Sequence, residues 1–216
     1  MRRSAPTLTM ALAALAWLGV LLQLYLSLQL AAANGKTVVG GIVAFLGYFT
    51  ILTNILVCVV LTVPLMAPES GPGRFFSRPS VVTGVATSIS LVGIGYYFLL
   101  RNVWAPEGLQ WFADVMLHYA VPVLFLVYWW LAIPKASLRW VDPPLWSIYP
   151  AAYVVYALIR GALIDTYPYP FIDVATIGYQ RALLNAFGLQ LAFIAVGLLF
   201  VALGNASNQR QAGQAQ

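Results

Sequence analysis

The chain has 216 residues, of which 62% are hydrophobic and only 8% charged, with a formal net charge of +5. A soluble domain is about a quarter charged, so this chain cannot cover its own surface with polar groups. A soluble enzyme, a disordered chain and a nucleic-acid binder are thereby excluded, and the bilayer is the solvent that fits.

A spanning helix needs roughly 20 mostly apolar residues. The pattern predicts an all-α polytopic membrane bundle of six transmembrane helices, forming a single domain over residues 1–204. The first span runs from Leu8 to Leu30 and the second from Val38 to Leu65. The third covers Val81 to Leu100 and the fourth Trp111 to Ile133. The fifth covers Leu145 to Ile164 and the sixth Ala182 to Leu203. Breakers separate them, such as Asn34-Gly35, the stretch from Pro68 to Arg74, and Asp142-Pro143-Pro144. The polar residues 205–216 read as a disordered tail. The start, two arginines before a long apolar run, imitates a signal peptide. The run is longer than the roughly 7–15 residues of a typical h-region, which favours an uncleaved first span.

Cations set the orientation. Arg2, Arg3, Arg74, Arg78, Lys135, Arg139 and Arg210 fall on one side, outnumbering Lys36, Arg101, Arg160 and Arg181 on the other. Both termini are therefore expected in the cytoplasm. The single cysteine, Cys58, lies in an apolar run and reads as a small buried hydrophobe. With one histidine and six carboxylates in the whole chain, no metal site and no cofactor is expected.

Polar residues at membrane depth are costly, so function is sought there. In the second span Thr50 and Asn54 share a helix face. The ordinary fate of a membrane threonine is a hydrogen bond to the carbonyl four residues back, whereas Asn54 needs partners for a whole amide. In the fourth span Asp114 and His118 are spaced so that the carboxylate can fix the imidazole tautomer. Pro122 removes the helical partner of the His118 carbonyl and bends the helix there. A histidine packed against a neighbouring helix is the competing reading. Arg160 can snorkel, bind a lipid carboxylate or phosphate, or pair with Asp165 or Asp173. The run Tyr167-Pro168-Tyr169-Pro170-Phe171 is a stiff loop that cannot be helical. It serves either as an interfacial aromatic belt or as a lid over a site. At 1.5 Å per residue Thr50 lies roughly 18 Å and His118 roughly 10 Å from the outer ends of their spans, so one outer-half cavity can hold both.

Four pieces occur in order over spans two to six: Tyr48-Phe49-Thr50 with Thr53-Asn54, Leu117-His118-Tyr119 with Pro122, Arg160-Gly161, and Tyr167-Pro168-Tyr169-Pro170-Phe171. In these the chain resembles the androgen-induced and androgen-dependent TFPI-regulating protein family of six-span transmembrane threonine hydrolases, and more closely its bacterial relatives. The resemblance implies a nucleophile at Thr50 and a general base at His118, with animal members cleaving fatty acid esters of hydroxy fatty acids. It also implies a multi-pass protein of the cytoplasmic membrane whose partner is a membrane lipid or fatty-acyl ester. No Gly-x-Ser-x-Gly elbow occurs, so an α/β-hydrolase is not expected.

On that scheme Asp114 orients His118, and Asn54 or Asn185 supplies an oxyanion donor. Substrate contacts are expected from Asn54, Arg160, Tyr167, Tyr169 and Phe171. The competing functions are a non-catalytic lipid-binding or scaffold protein and, with no repeated halves in its favour, a transporter.

Overall fold

The computed structural model describes residues 5–213. Its helices in chain order are α1 (Ala5–Ala33), α2 (Val38–Phe45), α3 (Phe49–Met66), α4 (Gly71–Phe76) and α5 (Pro79–Gly95). They continue with α6 (Gly108–Val115), α7 (Val121–Ala132), α8 (Asp142–Trp146), α9 (Ile148–Ile164) and α10 (Val174–Gly213). A π-helical turn extends α5 over Tyr96–Leu100, and a second joins α6 to α7 over Met116–Ala120. Among the described residues there is no strand. Six of the resulting rods are long and apolar enough to cross a bilayer, the build of a multi-pass membrane protein. Arg2, Arg3 and the last residues of the polar tail lie outside the described residues.

The most buried rod is α5, which packs against α3, α7 and α10. Its buried residues include the small Gly84, Ala86, Ser88 and Ser90 beside Val82, Val85, Ile89 and Val92. Small residues let helix backbones approach closely where lipid offers no hydrophobic drive between helices. The hydroxyls of Thr83, Thr87, Ser88 and Ser90 donate to the carbonyls four residues back at 2.7–3.0 Å. They thereby bury their polar groups without needing a partner helix.

The second span departs from its expected course. It is not one helix from Val38 to Leu65 but two, α2 and α3, parted between Phe45 and Phe49. The apolar run is well over the length a bilayer requires, so it tolerates a break. At the break Gly47 lies against Arg160 of α9, where a Cβ would sit 2.8 Å from the guanidinium carbon. Leaving the helical path orphans the carbonyls of Leu46 and Gly47, and an unsatisfied carbonyl in hydrocarbon costs several kcal/mol. Two tyrosines of α9 meet this need: Tyr153 donates to the Gly47 carbonyl at 2.9 Å and Tyr156 to the Leu46 carbonyl at 3.3 Å. Tyr153→Phe is expected to lower stability by about 1–2 kcal/mol. Tyr156→Phe is expected to cost less, because that side chain is 39% exposed. Thermal denaturation of the two variants in detergent checks the order.

Two smaller differences complete the fold. The last span begins at Val174, with a break at Gly178 (φ 75°), and the helix runs on to Gly213 through part of the segment read as a disordered tail. That stretch holds no proline and is built of residues such as Ala, Gln and Arg that favour helix. The aromatic loop, read as a stiff loop that cannot be helical, contains one 3-10 turn over Pro170–Ile172, since the fixed φ of a proline suits the first position of a helical turn.

Candidate active site

The break in the second span decides what the Thr50 hydroxyl does. Thr50 lies in the first turn of α3, and the residue four back, Leu46, belongs to the break rather than to a helix. The back-bond made by Thr62, Thr83 and Thr87 is therefore closed to it. Its Oγ1 faces Nε2 of His118 at 3.3 Å instead. Its main-chain N–H, one of the orphan donors of a helix start, donates to the phenol oxygen of Tyr169 at 3.3 Å. The two hydroxyl oxygens of Thr50 and Tyr169 are 3.5 Å apart.

His118 sits inside the π turn between α6 and α7. Because Pro122 has no N–H, the His118 carbonyl has no helical donor. The chain takes up the mismatch one turn earlier, where the Val121 N–H reaches back five residues to Met116. The imidazole Nδ1 lies 3.1 Å from the Asp114 main-chain oxygen and 3.1 Å from its Oδ1. Oδ1 makes no aligned hydrogen bond, so the ring N–H points at the carbonyl and the carboxylate is beside it. Both neighbours are acceptors only. Nδ1 is accordingly assigned the proton, and Nε2 turns its lone pair toward Thr50.

Two groups hold this imidazole. Tyr96, in the other π turn, stacks on it with ring centroids 3.9 Å apart and planes 20° apart. The same Tyr96 donates its hydroxyl to Asp114 Oδ2 at 2.5 Å. The Asp114 side chain thus lies beside Nδ1, and the tautomer does not depend on that side chain alone. Asp114→Asn is expected to leave the Nδ1–H tautomer in place, because the Asp114 main-chain oxygen still accepts from it. Nitrogen-15 NMR of the imidazole in the purified variant checks this.

Asn54 is fully buried, and its amide nitrogen donates to the carbonyls of Thr50 (2.9 Å) and Leu117 (3.2 Å). It ties the first turn of α3 to the residue before His118, which sets the distance between hydroxyl and imidazole. An oxyanion donor it is not, since its N–H groups are engaged. Asn185, the other candidate, donates to the Phe171 carbonyl at 2.9 Å.

Around this centre lie two cavities. The larger, about 540 Å³, is walled at its deep end by Thr50, Asp114 and His118 and at its rim by polar side chains such as Asn34, Lys36 and Gln110. The smaller is an apolar cleft of about 80 Å³ between α3, α5, α9 and α10. Tyr169 lines both, and Phe171 lines the cleft, stacked on Tyr169 at 5.1 Å. Asn54, Arg160 and Tyr167 line neither. Arg160 is 9% exposed, donates to the Thr166 carbonyl at 3.1 Å and braces Gly47. Among the described residues it pairs with no carboxylate. Tyr167 rests its ring on the backbone of Gly161, where any Cβ would collide with it. These three residues, expected at a substrate, line neither cavity and contact the backbone of the segments around it.

Tyr96 escaped the sequence reading because it sits in the aromatic run Tyr96-Tyr97-Phe98 at a span end, where an interfacial role is the default. Only the packing of α5 against the π turn of the fourth span brings it to Asp114. Comparison of the chain with family models, with curated proteins and with solved structures found no match.

Proposed function

We propose that the chain is a membrane-embedded hydrolase that cleaves a fatty-acyl ester through a covalent acyl-threonine, as the motif resemblance to the androgen-induced family suggests. One observation carries this reading. The Thr50 hydroxyl, freed by a helix break, faces Nε2 of the chain's single histidine across two separate spans, on the wall of a cavity.

A threonine hydroxyl is a weak nucleophile until a base removes its proton. In the proposed reaction His118 Nε2 takes the Thr50 proton as Oγ1 attacks the ester carbonyl. The tetrahedral intermediate collapses, the C–O bond to the alcohol breaks, and His118 returns the proton to the departing oxygen. Water, deprotonated by His118, then attacks the acyl-threonine. Its collapse releases the fatty acid and restores the Thr50 hydroxyl. The developing oxyanion falls beside the Tyr169 O–H, whose oxygen the Thr50 N–H holds at the positive end of α3. The reaction as written uses side chains and water.

The distribution of cations favours cytoplasmic termini. With that orientation the centre lies in the outer half of the bilayer, in a multi-pass protein of the cytoplasmic membrane that draws its substrate from lipid. The test is turnover of a panel of fatty-acyl esters by the detergent-purified protein. Thr50→Ala and His118→Ala are each expected to abolish it while keeping the wild-type helical signal. Full activity in both variants overturns the reading.

A further inference from the structure

Thr50 is a wall shared by two chambers of different character, and His118 is not. Both chambers touch Thr50 and Tyr169, but only the larger, polar-rimmed cavity is lined by His118 and Asp114. This asymmetry gives the centre a direction. In acyl transfer to a hydroxyl, the base that accepts the nucleophile's proton hands it to the leaving oxygen. The leaving alcohol must therefore lie on the side where the imidazole is exposed. The acyl carbonyl's other substituent must lie on the side where the nucleophile is reached without the imidazole.

We infer that the scissile ester is held across Thr50 with its acyl chain in the apolar cleft and its alcohol arm in the larger cavity, so that the substrate class is an apolar acyl chain esterified to a polar alcohol. The assignment rests on the ester-hydrolase reading and deepens it. The contents of the two chambers agree with the direction. The cleft is walled by groups such as Leu91, Val92, Leu189 and Phe171. Leu99 on its wall is 47% exposed within the third span, so carbons beyond the cleft pass into the bilayer. The larger cavity is apolar over most of its lining but also carries Gln23, Ser27, Asn34, Lys36 and Gln110, of which Gln110 donates to Gln23 at 2.9 Å. Hydrogen-bonding groups on the alcohol arm find partners among those side chains, Lys36 included. The same mouth admits the water of the second step once the alcohol has gone.

Gly95 and Ala186 line opposite sides of the cleft, and a Cβ at Gly95 meets nothing within 4 Å. Gly95→Leu therefore brings a side chain to the cleft from a Cβ position with no neighbour, and Ala186→Leu does so from α10. Ala44 lines only the larger cavity. The probes are the 4-methylumbelliferyl esters of butyrate and palmitate, which share one leaving group. Gly95→Leu and Ala186→Leu are each expected to lower kcat/KM on the palmitate at least roughly tenfold more than on the butyrate, the scale set by displaced methylenes. Ala44→Leu is expected to lower both by a common factor.

Acyl-length discrimination arising from Ala44→Leu instead reverses the chambers and overturns the inference. So does an equal effect, or none, of both cleft variants on the two esters. A wild-type protein that hydrolyses neither ester and forms no adduct at Thr50 removes the underlying hydrolase reading, and the chamber assignment with it.

Discussion

Thr50→Ala is expected to reduce ester turnover by roughly 10³-fold or more, while Thr50→Ser keeps a substantial part of it. The reasoning lies in where the hydroxyl stands. Among the described residues the buried hydroxyls of Thr83, Thr87, Ser88 and Ser90 are tied to carbonyls of their own helix, and that of Thr53 to the Tyr149 hydroxyl. At Thr50 the helix has only begun, so the oxygen is directed across the bundle to His118 Nε2 at 3.3 Å. Serine presents the same oxygen with a looser χ1, having lost the methyl that restricts threonine. Valine keeps the shape and loses the oxygen. Thr50→Val should therefore be as inactive as alanine while shifting stability by no more than about 1 kcal/mol. Parallel kinetics and thermal denaturation of the three variants separate a reacting hydroxyl from a structural one.

Tyr169→Phe is expected to lower kcat by about 10²-fold with little change in KM, the scale of losing one oxyanion donor. Tyr169 comes from the aromatic loop, yet it is buried and reaches both the N–H and the Oγ1 of Thr50. Phenylalanine keeps the stack on Phe171 and the edge contact with Tyr48 and removes only the hydroxyl. Burial holds the phenol pKa above its ordinary value, against the lowering effect of its bonds to Thr50. The neutral, donating form therefore persists to higher pH than for a free tyrosine, near 10. The wild-type rate should accordingly show no alkaline loss from this group at its ordinary pKa. A pH–rate profile beside that of Tyr169→Phe reads this directly.

The six rods were legible because each is a long apolar run closed by breakers, and Thr50, Asp114 and His118 stood out because polar groups in hydrocarbon are conspicuous. The break in the second span was not legible. Its residues are as apolar as those around them, and what stabilises it comes from elsewhere in the chain: the hydroxyls of Tyr153 and Tyr156 on the orphan carbonyls, and Arg160 against Gly47. The same blindness assigned Asn54 and Arg160 to a substrate. Each is a polar side chain at depth, and only the three-dimensional packing reveals that its partners are backbone carbonyls, those of Thr50 and Leu117 for Asn54 and that of Thr166 for Arg160. Tyr96 was invisible for the converse reason, since an aromatic at a span end needs no special explanation until Asp114 and His118 are seen beside it.

The most direct test of an activated Thr50 is covalent trapping. Purified protein treated with a lipophilic fluorophosphonate, digested and sequenced by mass spectrometry, is predicted to carry the adduct on Thr50, with labelling lost in Thr50→Ala and strongly slowed in His118→Ala. An adduct on another residue, or labelling that persists unchanged in Thr50→Ala, contradicts a catalytic threonine and leaves a lipid-binding bundle in its place.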